Sequence, residues 1–337
     1  MVRQPICRVR AAFVCLAAVS VLLPGCSGRE ESGQALSIAV IPKGTTHEFW
    51  KSIHAGAVKA SRELSAGDLK VDISWKGPMR EDDREQQVQV VEGFLSQGVD
   101  GIVLAPLDER ALVRPVLEAK RAGIPTVIFD SDLASDEIVS FVATDNYKGG
   151  QLAADRMGQL LGGRGKVLLL RYQEGSASTT ARENGFLDRM KSGYPGVEVI
   201  SSDQYSGPTR DTAKRASENL LNRHARELSG IFCVNESSTA GMLLALQDIG
   251  RAGQITFVGF DASEPFVDAI RQGQLHGIVV QNPLTMGYLG VKTMVEHLQG
   301  RPVQKRVDTG VWLITQENLD KAETQQLLHP PIGEFLN

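Results

Sequence analysis

Cysteine is almost missing from the body of this chain. Four occur in 337 residues, and Cys7, Cys15 and Cys26 all lie within the first 26. Only Cys233 falls in the remainder, inside the apolar run Gly230-Ile231-Phe232-Cys233-Val234. One thiol makes neither an intramolecular disulfide nor a cysteine-rich metal site. Cys233 therefore reads as a small buried apolar residue. Catalytic spacings are missing too. His47-Glu48 has no second histidine three residues after the glutamate, so there is no zinc-protease helix. Gly162-Gly163-Arg164-Gly165-Lys166 lacks both the spacing of a phosphate-binding loop and a Ser or Thr after its lysine. No Gly-x-Ser-x-Gly nucleophile elbow occurs. An excess of positive charge is also lacking: 36 Lys and Arg stand against 40 Asp and Glu. A mildly acidic body argues against a nucleic-acid scaffold. No metal, cofactor or nucleic-acid partner is expected.

The first 25 residues are built differently from the rest. Arg3, Arg8 and Arg10 give a positive start, and Ala11 to Leu23 is almost unbroken apolar sequence. That is a signal-peptide layout, too short for an ordinary spanning helix. Its ending, Leu23-Pro24-Gly25-Cys26, resembles the bacterial lipobox, which implies that Cys26 becomes the acylated first residue of the mature protein. Removal of residues 1–25 takes away three arginines and no acid, so the formal charge moves from −4 to −7. The remaining 312 residues suit two medium domains. Ser27 to Ala35 is polar and reads as a flexible tether. The expected location is the periplasm or cell-envelope surface, with a lipid anchor in a membrane.

From Leu36 a regular alternation begins. Strand-like runs at Leu36–Ile41, Leu69–Trp75, Gly101–Leu104 and Thr126–Phe129 alternate with helix-length segments His47–Leu64, Asp82–Gln97 and Glu109–Ala122. Gly98 and Gly123 stand where helix C-terminal glycines belong. The pattern resumes after Asp145 with strands at Lys166–Leu170, Val197–Ser201, Ile231–Val234, Thr256–Phe260 and Gly277–Val280. Helices are expected at Tyr147–Leu161, Thr180–Met190, Arg210–Ala225, Ser238–Ile249, Pro265–Gln272 and Thr285–Gln299. Such alternation predicts α/β architecture, with parallel sheets covered on both faces. The units are too many for one small sheet, so two doubly wound lobes are expected. Ligands of open α/β sheets bind beyond the carboxyl ends of the strands, and the cleft between two such lobes is the default site.

The strand ends carry planar polar or aromatic groups. Lys43 to Trp50 follows the first strand, and Asp130-Ser131-Asp132 follows the fourth. Later strands lead to Thr180-Ala181-Arg182, Gln204-Tyr205, Asn235-Glu236, Phe260-Asp261 and Gln281-Asn282. This inventory fits a sugar. Aromatic rings cover the apolar C–H faces, and Asp, Asn, Gln and Arg present paired acceptors or donors to neighbouring hydroxyls. Taken singly, Phe49 or Trp50 is more often core, Asp130, Asp261 and Asn235 serve equally as caps or turn formers, and Arg182 is an ordinary helix charge.

Three segments in this order resemble periplasmic sugar-binding proteins of the ribose-binding type, the solute-binding components of ABC importers. They are Val142-Ala143-Thr144-Asp145-Asn146 with Gly149-Gly150, Thr180-Ala181-Arg182-Glu183 with Gly185-Phe186, and Val258-Gly259-Phe260-Asp261. The resemblance spans about Leu36 to Ile314. It implies sugar contacts at His47, Phe49, Trp50, Asp130, Ser131, Arg182, Tyr205, Asn235, Phe260, Asp261 and Gln281. Aromatics would sandwich the ring while Asp130, Arg182, Asn235, Asp261 and Gln281 grip hydroxyls. It also implies two lobes, 36–144 plus 282–309 and 145–281 plus 310–327, with a tail at 328–337. Three crossovers would join them, near Thr144-Asp145, Gln281-Asn282 and Thr309-Gly310. Closure about those hinges would trap the ligand.

Departures from the ribose-type pattern fall in the amino-terminal half of the cleft. Asn is usual where His47 stands, Arg where Ser131 stands, a small polar residue where Lys43 stands, and Phe where Trp50 stands. They point away from ribose itself, and Lys43 with His47 suggests a negatively charged or more substituted sugar. The expected protein is a monomeric, lipid-anchored binder rather than an enzyme, with an ABC permease as its membrane partner. A chemoreceptor or sensor kinase as that partner remains an alternative output. A LacI-like regulator would need a helix-turn-helix where the signal peptide stands. A glycosidase pair formed by Asp130 and Asp261 is the residual enzymatic reading.

Overall fold

The computed structural model describes residues 35–66 and 68–336; the expected signal peptide and Cys26 lie outside the described residues. The chain first builds β1 (Ala35–Ile41), α1 (Glu48–Leu64), β2 (Lys70–Trp75), α2 (Arg84–Gln97), β3 (Gly101–Leu104), α3 (Val113–Arg121), β4 (Thr126–Phe129) and β5 (Ser140–Ala143). It then builds α4 (Asn146–Leu160), β6 (Gly165–Leu170), α5 (Ala177–Gly193), β7 (Val197–Ser201), α6 (Arg210–His224), β8 (Gly230–Cys233), α7 (Glu236–Asp248), β9 (Thr256–Phe260), α8 (Glu264–Arg271) and β10 (Gly277–Val280). It closes with α9 (Pro283–Leu298), β11 (Arg306–Asp308), β12 (Trp312–Ile314), α10 (Ala322–Leu328) and a single 3₁₀ turn at Ile332–Glu334.

Two six-stranded sheets result, in the orders β11-β5-β4-β3-β1-β2 and β12-β10-β9-β8-β6-β7. The first is wholly parallel, as expected. The second is parallel except at one edge, where β12 runs antiparallel to β10, a correction to the all-parallel reading. Its cause is the last crossover. Only Thr309-Gly310-Val311 separate β11 from β12, too few residues for the helical return that a parallel neighbour needs.

The central strands are apolar on both faces because helices cover both. In β1, Ile38 and Val40 enter one core cluster while Ala39 and Ile41 enter another. In β6, Leu168 and Leu170 face one layer and Val167 and Leu169 the other. Such continuous apolar runs mark strands buried on both sides. Cys233 lies fully buried in this second core, and burial pushes its thiol well above the ordinary value.

The chain crosses between the sheets after β5, after β10 and after β11. Two crossovers lead straight into helices whose first turns are capped. Asp145 accepts from the Lys148 N–H at the start of α4, and Asn282 from the Thr285 N–H at the start of α9. Thr144 Oγ1 donates to the Gly310 carbonyl at 3.1 Å, which ties the first crossover to the third.

Close helix crossings explain the glycine motifs. A Cβ on Gly150 of α4 would stand 2.0 Å from the Arg182 carbonyl oxygen of α5, and one on Gly185 of α5 would stand 2.0 Å from that of Tyr147. The first lobe repeats the device. Gly56 of α1 meets the Leu284 carbonyl and Gly287 of α9 meets that of Ile53, at 1.9 and 2.0 Å from the notional Cβ.

Helix α3 starts at Val113 rather than near Glu109, because Asp108 Oδ1 accepts from the Arg110 and Ala111 N–H groups and holds a turn there. The segment after Ile314, including the described residues of the expected tail at 328–337, is packed against both lobes. Leu327 and Leu328 of α10 pack on the second-lobe core, while Arg62 of α1 donates to the Glu334 and Phe335 carbonyls. Among the described residues, no helix is long and apolar enough to cross a membrane.

Candidate ligand-binding site

Two aspartates mark the site. Asp130 follows β4 and Asp261 follows β9, with φ of 61° and 67°. Among the described residues they are the only non-glycine positions with positive φ. That conformation costs an L-residue about 1–2 kcal/mol, and Asp tolerates it better than most. Equivalent strand ends in the two lobes thus carry the same strained turn, and both carboxylates are buried in the same pocket.

Around Asp261 the second lobe builds a rigid frame. Gln281, just past β10, donates its amide N–H to Asp261 Oδ1 at 2.7 Å. The Glu236 backbone N–H, at the start of α7, donates to Asp261 Oδ2 at 3.1 Å. Arg182 Nη1 stands 3.9 Å from the same oxygen. The guanidinium lies 3.8 Å over the Phe260 ring, and it donates to Asn146 Oδ1 at 2.8 Å and to the Val234 carbonyl at 2.9 Å. Burial lowers the Arg182 pKa and raises that of Asp261, with each partly offset by the other's charge. Asn235 caps α7 through Oδ1, which accepts from the Ser238 N–H, and one of its amide hydrogens goes to Ser237 Oγ. It is a cap and a pocket residue at once.

The first lobe contributes a second frame. Lys43 Nζ lies 3.2 Å from Asp130 Oδ2 and donates to Ser178 Oγ of the other lobe at 3.1 Å. Trp50 is buried, with its indole N–H on Glu81 Oε1 at 2.6 Å and its ring edge-on to Phe49 at 5.0 Å. His47 Nδ1 sits 3.2 Å from Glu81 Oε1 and 3.7 Å from Glu236 Oε2. Further contacts cross the cleft. The Tyr172 hydroxyl donates to Glu81 Oε2 at 2.5 Å, Gln173 Nε2 to the Glu81 carbonyl at 2.8 Å, and the Ser178 N–H to Ser131 Oγ at 3.1 Å. At the rim Arg84 Nη2 reaches the Glu174 carbonyl at 2.8 Å. The lobes therefore meet in a closed arrangement.

Lys43, His47, Phe49, Trp50, Asp130, Arg182, Asn235, Asp261 and Gln281 line one pocket. Ser131 and Phe260 lie immediately behind it, both fully buried. Tyr205 is not brought into the group. It is exposed, pairs through its backbone with Arg171, and has that guanidinium 5.8 Å over its ring.

Five pocket residues were absent from the expected set: Glu81, Tyr172, Ser178, Thr179 and Glu236. Their signals differ in strength. Glu236 adjoins Asn235 and Tyr172 lies two residues past β6, so the strand-end rule reaches both. Glu81 sits in the loop between β2 and α2, where the rule gives no reason to look.

The acids alter the charge expectation. Glu81, Asp130, Glu236 and Asp261 all line the pocket beside Lys43, Arg182 and His47. Lys43 is engaged by Asp130, and His47 lies between Glu81 and Glu236. Arg182 faces Asp261, so among the described residues of the pocket each cation already has a carboxylate beside it, and the geometry gives no support to a negatively charged sugar. Among the described residues lining this pocket, two buried acceptors have no hydrogen-bond partner, Glu236 Oε2 and Gln281 Oε1. A ligand rich in O–H donors is what they lack. Among the described residues no group of acids, histidines or cysteines is placed to hold a metal ion.

Known proteins share this architecture. A ribose import binding protein of Bacillus subtilis (strain 168) is 28% identical over 295 residues, covering 87% of this chain and 91% of that protein. A carbohydrate transporter solute binding protein from Agrobacterium radiobacter, solved in complex with D-arabinose, has 30% identity and a TM-score of 0.83, covering 88% of this chain and 99% of its own. An ABC transporter solute binding protein from Agrobacterium vitis, solved with bound D-fucose, has 36% identity and a TM-score of 0.82, covering 87% and 100%. The periplasmic binding protein domain matches residues 38–302, nearly the whole two-lobed body, and the chain belongs to that family.

Proposed function

We propose that this protein is the solute-binding component of an ABC-type importer, capturing a neutral sugar in its interlobe cleft and delivering it to a membrane permease. The observation that carries the reading is the pair of strained aspartates, Asp130 and Asp261, facing one pocket from equivalent strand ends of two lobes. Strain of this kind persists where the surrounding structure over-determines it, and it clusters at ligand clamps. Sugar-bound relatives of the same architecture support the reading. In this account Asp130, Arg182, Asn235, Asp261 and Gln281 hold hydroxyls, and Phe49 and Trp50 face the ring. Glu81 locks Trp50 and Tyr172 in place, and Glu236 supplies an acceptor. The lobes bounded at 144–145, 281–282 and 309–310 open to admit the sugar and close to bury it.

A thermal-shift panel of neutral monosaccharides, sugar acids and polyols tests this. A rise in melting temperature with a neutral sugar, and none with the matching sugar acids, is expected. Stabilisation by sugar acids alone would contradict it. The ligand should be recovered unchanged after long incubation; a cleaved product would revive the glycosidase reading. We extend the proposal to anchoring through an acylated Cys26. Cys26→Ser should move the protein from the membrane to the soluble fraction, and unchanged fractionation would count against the anchor.

A further inference from the structure

Three covalent crossovers join the lobes, and the end of the chain adds a connection that is not covalent. After β12, the edge strand of the second sheet, the polypeptide stays with the second lobe. Leu327 and Leu328 of α10 pack on that lobe's core, and His329 Nδ1 lies 3.1 Å from Glu264 Oε1 at the start of α8. By Glu334 the chain has reached the other lobe. Arg62, in the last turn of α1, donates to the Glu334 and Phe335 carbonyls at 2.9 and 3.1 Å, and its guanidinium stands 5.8 Å over the Phe335 ring.

Between these anchors the segment runs beside the cleft. Pro330 and Ile332 wall a groove whose other sides are Phe49 and Ser52 of the first lobe and Asp261 and Pro265 of the second. Phe49 and Asp261 also line the ligand pocket. Helix α1 starts at that groove with Glu48, and Arg62 lies about 20 Å farther along it at a rise of 1.5 Å per residue. One anchor therefore sits on each of the two bodies that part when the cleft opens.

The first-lobe anchor is specific in form. A planar guanidinium is pre-organised for two acceptors at once, so it holds two successive carbonyls with little loss of side-chain freedom per bond. Opening of the lobes moves this anchor relative to Leu327 and Leu328. Either Arg62 must then release its carbonyls, or the 3₁₀ turn at Ile332–Glu334 must unwind to give slack.

We propose that residues 329–336 form a strap along the side of the cleft, and that its clip at Arg62 resists opening of the lobes and so slows exchange of the ligand. The inference rests on the reading of two lobes that part and close, and it holds for any ligand that the cleft takes.

Hydrogen exchange on the whole protein without added ligand tests it, because exchange of an amide tracks how often the structure around it opens. Two amides report on the cleft. The Ser178 N–H is bonded to Ser131 Oγ at 3.1 Å and the Glu109 N–H to the Gly175 carbonyl at 3.0 Å, each from one lobe to the other. Strands β3 and β8 report on the two cores. Arg62→Ala and Arg62→Glu should speed exchange at Ser178 and Glu109 at least fivefold and leave β3 and β8 within twofold. A variant ending at His329 removes the clip from the other side and carries the same expectation. Unchanged exchange at Ser178 and Glu109 in all three variants would overturn the strap. So would equal acceleration in β3 and β8, which marks a loss of stability rather than opening. Exchange at the two amides that is no faster than in β3 and β8 of the parent protein would show that the lobes do not part, and the closure reading would fall with this inference.

Discussion

Glu183 shows how one residue in a family motif serves the fold rather than the ligand. It adjoins Arg182 but points away from the cleft, 3.3 Å from Arg171 Nη1, with one carboxylate oxygen buried and unpaired. Burial pushes its pKa up from 4.5 to about 7, and Arg171 offsets this only in part. The native pKa lies above the unfolded one, so the folded state binds the proton more tightly. This contribution to stability is whole below about pH 4.5 and is lost as the pH rises through 7. It amounts to about 3 kcal/mol. Glu183→Gln should flatten the fall in stability between pH 5 and 7.5, as read from urea midpoints. Parallel pH curves for the two proteins would show that Glu183 ionisation is not responsible. At the same scale, the strand-end rule drew attention to Asp130, Arg182, Asn235, Asp261 and Gln281. Tyr205 met the same rule, yet its strand, β7, is an edge strand and its ring remains in solvent. A rule based on position along the chain does not separate central strands from edges, and sheet order became known only with the fold.

At the scale of elements, most central strands were legible to within a residue or two because burial on both faces writes an unbroken apolar run, but the interior strand β5 (Ser140–Ala143) was missed. Of the edge strands, β2 and β7 were read, but β11 and β12 were not. β11 has one apolar residue, Val307, between Arg306 and Asp308, and β12 has only three residues. Neither length nor composition could flag them. The glycine motifs were visible as words, and their meaning appeared with the helix crossings. Gly150 and Gly185 let α4 and α5 touch backbone to backbone, as Gly56 and Gly287 do for α1 and α9. Gly150→Ala must push α5 away or strain α4. It should cost about 2 kcal/mol or more by the usual scale of overpacking, seen as a lower urea midpoint with unchanged slope. A loss under about 0.5 kcal/mol would mean the crossing has slack.

For the whole molecule, the contacts that cross the cleft explain what closure would require. Lys43 reaches Ser178, Tyr172 reaches Glu81, and Ser178 reaches Ser131, so each lobe supplies partners that the other lobe's polar groups would otherwise seek from water. The same arrangement leaves Gln281 Oε1 and Glu236 Oε2 for a ligand. Asp261 ties these groups together, bonded to Gln281 and to the Glu236 N–H and facing Arg182. Asp261→Ala should leave the cores intact and weaken ligand binding by at least tenfold to a hundredfold, the equivalent of about 1.5–3 kcal/mol for a hydrogen bond to a charged group. The most direct test of the account is a native mass spectrum of the protein purified from sugar-containing medium, beside that of Asp261→Ala. We predict a single adduct with the mass of a neutral saccharide on the parent protein and none on the variant. A parent protein that never carries a saccharide in any medium, or an adduct equally abundant on Asp261→Ala, would contradict the claim that a sugar is held in the interlobe cleft.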